Sequence, residues 1–217
     1  KSADVSKVRR YRSRADGLCA AACPLSIGTG ELSKHLRSLR NSGRKVRAAQ
    51  WAADHYSFVL AGVRSALRAA DAVHSLFGTS LMSGFTRTAR ALSRNAIPLW
   101  NPHMPKGAPS STFQDIRNGS DRKVVYFPSC VVRTMGPSRK DKDQRTVYDA
   151  MLSLLDKAGY DVLFPDRMAD LCCGMPFESK GFFEQADQMS RKLEKALLDR
   201  SNGGAYPVLC DTSPCLY

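Results

Sequence analysis

The sequence predicts an α/β chain: a helical amino-terminal half followed by a cysteine-rich βαβαβ unit built on a parallel sheet. Three observations predict it. Apolar residues between positions 46 and 73 recur at steps of three and four, the spacing of one helix face. Four prolines then fall within residues 98–109. Beyond them, short β-branched and aromatic runs alternate with helix-periodic segments, the order that produces a parallel sheet with right-handed crossovers.

Residues 1–45 are short polar segments around "DGLCAAACPLSIGTGELSKHLRSLR", where Thr29, two residues ahead of Glu31, is placed to cap a helix running to about Arg40. In residues 46–97 the stripe consists of Val46, Ala49, Ala53, Tyr56, Leu60, Val63, Leu67, Ala70 and Val73, expected to be packing on one long helix. A second helical stretch covers 80–94. Residues 98–121, beginning "PLWNPHMPKGAPSS", are expected to be a proline-rich linker without regular structure. In residues 122–217 "KVVYF" reads as a strand and "QRTVYDAMLSLLDKAGY" as a helix. "YDVLFP" follows as a strand, and "FFEQADQMSRKLEKALLDR" as a helix that ends before Asn202, Gly203 and Gly204. "YPVLC" is the third strand.

The chain has 217 residues and 43% hydrophobic content, enough for a core. It opens at Lys1 without an initiator methionine and closes on "SPCLY", so it reads as a piece of a longer protein. No apolar run approaches the roughly 20 residues needed to cross a bilayer, which leaves at most a peripheral place on a membrane. Thirty-three Lys and Arg against 20 Asp and Glu give a formal charge of +13. That sign suits an anionic partner, but the arginines sit among alanines and leucines with no aromatic run for stacking on bases. A solvated or partner-facing helix surface is expected, and nucleic acid is not.

In a parallel sheet the loops at the carboxyl ends of the strands share one edge, where ligands are held. Cys130 follows the first strand in "FPSC". Cys172 and Cys173 lie after the second in "LCCGMPFESKGF", and Cys210 and Cys215 end the third in "CDTSPC". These five thiols are expected to converge. Any one of them alone would read as a small core residue, yet packing does not call for thiols at loop positions. Disulfides would leave one of seven cysteines unpaired. Zinc sites usually draw thiolates as two closely spaced pairs, and only Cys210 with Cys215 resembles one. Iron-sulfur clusters take thiolates from scattered loops. Cys19 and Cys23 add "CAAACP", the C-x3-C-P end of a bacterial ferredoxin run, although Ser13 and Asp16 stand at its two earlier cysteine positions. Residues 1–45 thus read as a ferredoxin-like remnant.

The combination of "ADGLCAAACP…IGTGEL", "PLWNPHMP", "YFPSCVVRTMG", "CCGMPFESKGF" and "CDTSPC" resembles the carboxy-terminal iron-sulfur region of bacterial-type FAD-linked D-lactate dehydrogenases. The likeness runs nearly end to end. The last three motifs also resemble the wider cysteine-rich CCG domain of heterodisulfide reductase B subunits and of the iron-sulfur subunits of glycolate oxidase and anaerobic glycerol-3-phosphate dehydrogenase. The resemblance implies an iron-sulfur electron-transfer module that relays electrons from flavin towards quinone or a cytochrome. It implies cluster or redox roles for Cys130, Cys172, Cys173 and Cys215, with Cys210 close by, and a metal role for Cys19 and Cys23 in the amino-terminal module. Adjacent thiolates such as Cys172 and Cys173 suit neighbouring irons of a compact cluster, with Gly174 and Pro176 permitting and fixing the turn.

FAD would lie on a dehydrogenase domain or subunit outside this chain, and residues 122–217 would be a CCG domain cut short of its tail. The implied location is cytoplasmic or mitochondrial-matrix, at most peripheral to a membrane. The pattern departs in two places: Thr212 stands where a C-x2-C ending would put a cysteine, and Ser13 where the amino-terminal module has its first. None of His35, His55, His74 and His103 falls in a motif that would supply a catalytic base, so the chain alone is not expected to oxidise a 2-hydroxy acid. An unmetallated structural or interaction subunit and a zinc-binding module are the alternatives.

Overall fold

The computed structural model describes residues 29–93, 100–101 and 103–215. Three helices come first: α1 (Thr29–Ser38), α2 (Gly43–Asp54) and α3 (Tyr56–Leu92). Next are β1 (Pro105–Gly107), β2 (Lys123–Phe127), α4 (Cys130–Thr134), β3 (Met135–Ser138), α5 (Val147–Lys157) and β4 (Asp161–Leu163). The chain closes with α6 (Met175–Glu178), α7 (Phe183–Arg200) and β5 (Val208–Cys210), and single 3-10 turns span Met168–Asp170 and Ser213–Cys215. No described helix is long and apolar enough to cross a membrane. The described residues form two compact units: one runs up to Asp54 and includes Cys172–Leu193, the other comprises His55–Leu171 and the segment from Glu194.

In the first unit, Lys34 is buried between Glu31 and Glu178, at 2.6 and 2.7 Å. Gln185, also buried, donates to Gln50 at 2.9 Å; Gln50 donates to Gln188 at 2.8 Å, and Gln188 to Asp54 at 2.9 Å. This relay satisfies an amide that would otherwise be stranded in the interior. His35 packs on the Phe183 ring at 5.2 Å.

In the second unit β2 is the central strand, with β4 and β5 parallel on either side. Val124, Val125, Tyr126, Phe127, Val162 and Leu163 are all buried, as expected of strands covered on both faces. Phe113, Tyr126, Tyr148 and Phe164 form an aromatic cluster with ring centroids 5.6 to 6.1 Å apart. Helix α5 is capped by Thr146, whose hydroxyl accepts from the Asp149 N–H at 3.1 Å. The chain is mixed helix and sheet with a helical amino-terminal half, but the series is not a plain alternation, because α4 and β3 intervene between β2 and α5.

Three expectations are corrected. The long helix from Val46 is interrupted at His55 (φ −114, ψ 40), and α3 is itself broken at Gly78 (φ 71, ψ 176). The stripe hid the first break because Ala53 and Tyr56 keep a step of three with or without continuous helical backbone. The stripe is not all packing: Ala49, Ala53 and Tyr56 are buried, but Val63 and Val73 are exposed, as are Leu76, Phe77, Leu81 and Phe85 further along α3. Finally, the proline-rich segment contains a strand. β1 pairs antiparallel with β3, Pro105 opposite Ser138, on a two-stranded ribbon where a missing N–H is tolerated. Gly107 lets β1 approach α3, since a Cβ there would collide with the Arg64 carbonyl oxygen. Arg68 donates to the Ala108 carbonyl at 2.6 Å and Arg139 to Asp71 at 2.9 Å, fastening α3 to this ribbon.

Candidate functional site

The register of the parallel sheet brings two cysteine loops to one edge. Phe127, the last residue of β2, lies opposite Cys210, the last of β5. Cys130 comes three residues after Phe127 and opens α4, whose N-cap is Ser129; the Ser129 hydroxyl accepts from the Val132 N–H. Cys215 ends the 3-10 turn that follows β5, and its N–H donates to the Thr212 carbonyl at 3.0 Å. Cys130, Cys210 and Cys215 are each partly buried.

Asp211 binds the two loops together. Its carboxylate accepts from the Tyr126 hydroxyl at 2.8 Å, the Ser129 N–H at 3.0 Å and the Thr212 hydroxyl at 3.0 Å. The Thr212 and Ser129 hydroxyls are also hydrogen bonded to each other, at 2.8 Å. Burial and the neighbouring Asp211 charge hold the Tyr126 hydroxyl protonated, with its pKa raised well above the usual phenol range. Sequence reasoning singled out Thr212 only as a missing thiol. The structure gives that hydroxyl a positive task, tying the Cys215 loop to the Cys130 loop. Asp211 was not foreseen at all, although it lies inside the quoted "CDTSPC".

The thiols of Cys210 and Cys215 are hydrogen bonded to each other. That bond, with help from the Thr212 backbone and against burial and the Asp211 charge, pulls the Cys210 pKa down to about 7. A lowered pKa favours the thiolate, the form that ligates metal.

Cys172 and Cys173 belong to the first unit. Cys172 is 1% exposed and Cys173 more open. The glycine after the doublet is required by geometry: Gly174 has φ 86, and a Cβ on it would stand 2.5 Å from the Ala186 carbonyl oxygen. Pro176 follows in the first turn of α6, where its missing N–H leaves no helical bond unmade. Convergence of all five thiols is thus not displayed by either unit taken by itself. Among the described residues no three or more Cys, His, Asp or Glu side chains form a group that could hold a metal ion. Cys19 and Cys23, with Ser13 and Asp16, lie outside the described residues. Of the histidines, His74 shares a hydrogen bond with the Thr79 hydroxyl at 3.0 Å and packs on Trp100, and His103 is exposed.

A parallel sheet with thiol-bearing loops at its strand ends defines the class: a cysteine-rich α/β domain. Residues 124–216, somewhat under half of the chain, match the family model of the CCG cysteine-rich domain. That domain is compatible with an iron-sulfur electron-transfer module. No curated protein and no solved structure matches the chain.

Proposed function

We propose that this chain is the iron-sulfur electron-transfer module of an FAD-dependent 2-hydroxy-acid dehydrogenase of the D-lactate type, relaying electrons from flavin towards a quinone or cytochrome. The observation that carries it is the CCG match laid over a sheet edge where Cys130, Cys210 and Cys215 sit on loops joined by Asp211. Thiolates are the donors iron-sulfur clusters require, and the chemistry such a group supplies when bound is reversible electron uptake. The Cys210–Cys215 pair offers two sulfurs already hydrogen bonded, one with a lowered pKa. With Thr212 engaged in the loop tie, Cys210 takes the place of the missing cysteine. Cys130 lies on the adjoining loop of the same edge, and Cys172 and Cys173 are the further thiolates that this reading assigns to the cluster.

The chain's own residues hold the ligand loops, while the flavin, the substrate pocket and the base belong to a partner domain or subunit. The test is iron, acid-labile sulfide and zinc per chain after anaerobic purification. Iron with matching sulfide is expected; zinc at one per chain without sulfide would overturn the proposal. A second reading, an unmetallated structural part, draws on the absence of a three-ligand group among the described residues. A chain free of iron, sulfide and zinc that still folds would favour it.

A further inference from the structure

Helix α3 carries an apolar recess inside the second unit. At Gly78 the backbone leaves the helical region (φ 71, ψ 176), a conformation open to glycine, and the helix resumes beyond it. Val73 and Phe77 line the recess from the limb before the break, Leu81, Phe85 and Thr86 from the limb after it, and Trp100 from the segment that follows. Its volume is about 640 Å³, within the range of ligand cavities. The wall is open: Phe77, Leu81 and Phe85 are 57%, 63% and 71% exposed. Large apolar side chains gathered in water around one recess mark a contact surface.

The chemistry of the wall selects what covers it. Thr86 supplies its one hydroxyl, which donates to the Met82 carbonyl at 2.9 Å and accepts from the Trp100 backbone N–H at 3.1 Å. Trp100 Nε1 is itself buried. A sugar, nucleotide or peptide backbone entering here would give up its water without gaining a hydrogen bond. A hydrocarbon chain has none to give up. A protein partner would bring about one hydrogen bond per 100–200 Å² of interface, which this wall cannot supply. The rest of α3 is cationic, with Arg64, Arg68, Arg87 and Arg90 against one acid, Asp71, whose carboxylate is already paired with Arg139 at 2.9 Å. By helical spacing Leu81 and Phe85 share one face of the second limb, and Arg87 and Arg90 fall on the other. Across a helix about 10–12 Å wide those charges stay close to one screening length, about 8 Å, from whatever the apolar face touches. Exposed Phe and Leu on one face with arginine on the other is the pattern of a helix lying in the surface of an anionic bilayer.

We propose that α3 docks this chain on an anionic lipid bilayer, with a lipid acyl chain occupying the recess beside Trp100 and the arginine charge attracting the headgroup phosphates. The helix is not long and apolar enough to cross a membrane, so it lies along the surface. The proposal needs no metal and stands apart from the iron-sulfur reading.

The test uses the whole chain, reduced and metal-free, with Trp51→Phe so that Trp100 is the one tryptophan left. Sedimentation with vesicles of phosphatidylglycerol and phosphatidylcholine is compared with vesicles of phosphatidylcholine alone. Binding to the anionic vesicles is expected to be tighter by about tenfold or more. Vesicles with brominated acyl chains are expected to quench Trp100 emission, and unbrominated ones to leave it unquenched. Leu81→Ser combined with Phe85→Ser, both at exposed positions, is expected to weaken binding by about thirtyfold or more. A chain that sediments with neither vesicle overturns the proposal, as does equal affinity for both. Binding without quenching by the brominated chains overturns the acyl-chain site in the recess. A dimer in solution that the double variant converts to monomer, with no vesicle binding, would assign the face to a second copy of the chain and also overturn it. If the double variant does not fold, by circular dichroism, the quenching of Trp100 in its parent decides.

Discussion

Replacing Asp211 with alanine is expected to destabilise the metal-free chain by about 2–6 kcal/mol, because two buried donors, the Tyr126 hydroxyl and the Ser129 N–H, each lose an acceptor at about 1–3 kcal/mol. Both residues are fully buried, whereas Asp211 is partly exposed, so water entering where the carboxylate stood recovers part of the loss and the upper end of that range is not reached. The third donor, Thr212, contributes little to the sum, since its hydroxyl retains Ser129 as a partner at 2.8 Å. A loss of about 4 kcal/mol corresponds to a Tm lower by about 8–16 °C in a chain of this size. Asp211→Asn keeps one acceptor oxygen and is expected to cost about half as much. The assay is thermal and urea unfolding of the reduced, metal-free protein, followed by circular dichroism. An Asp211→Ala variant within about 1 kcal/mol of wild type would refute the view that this carboxylate holds the Cys130 and Cys210–Cys215 loops together.

Gly174→Ala forces a side chain into the left-handed region and against the Ala186 carbonyl; a loss of about 2–5 kcal/mol is expected, and an unchanged urea midpoint would contradict it. Cys172→Ser and Cys173→Ser are each expected to abolish the visible absorbance of the anaerobically loaded chain and lower its melting temperature, as metal binding and folding are linked. Full colour and unchanged melting in both would reduce the doublet to packing. In the metal-free chain, alkylation of Cys210 should rise with pH through a midpoint of about 7, since the thiolate is the nucleophile. Cys215→Ala removes the hydrogen bond and should move that midpoint up towards the ordinary thiol value of about 8.5; an unmoved midpoint would assign the shift to another cause.

Local pattern determined several elements of the carboxy-terminal half, though not α4, β3 or α6. "KVVYF" is a strand over Lys123–Phe127, and the helix-periodic segments form helices at Val147–Lys157 and Phe183–Arg200. Both follow from near-neighbour side-chain spacing, which the sequence displays directly. The motif residues were equally legible as types: the thiols, the glycine after the doublet and the proline behind it. Tertiary structure alone decided what those residues do. Asp211 meets Ser129 across 82 positions, Arg133 reaches Leu171 across 38, and a proline-rich segment finds a strand partner at Met135–Ser138. No spacing rule encodes such pairs, because they are selected by which buried donors and acceptors the packed sheet brings within reach. His55 shows the same limit inside a helix: a break that preserves the step between Ala53 and Tyr56 leaves no trace in the periodicity, and only the backbone conformation reveals it.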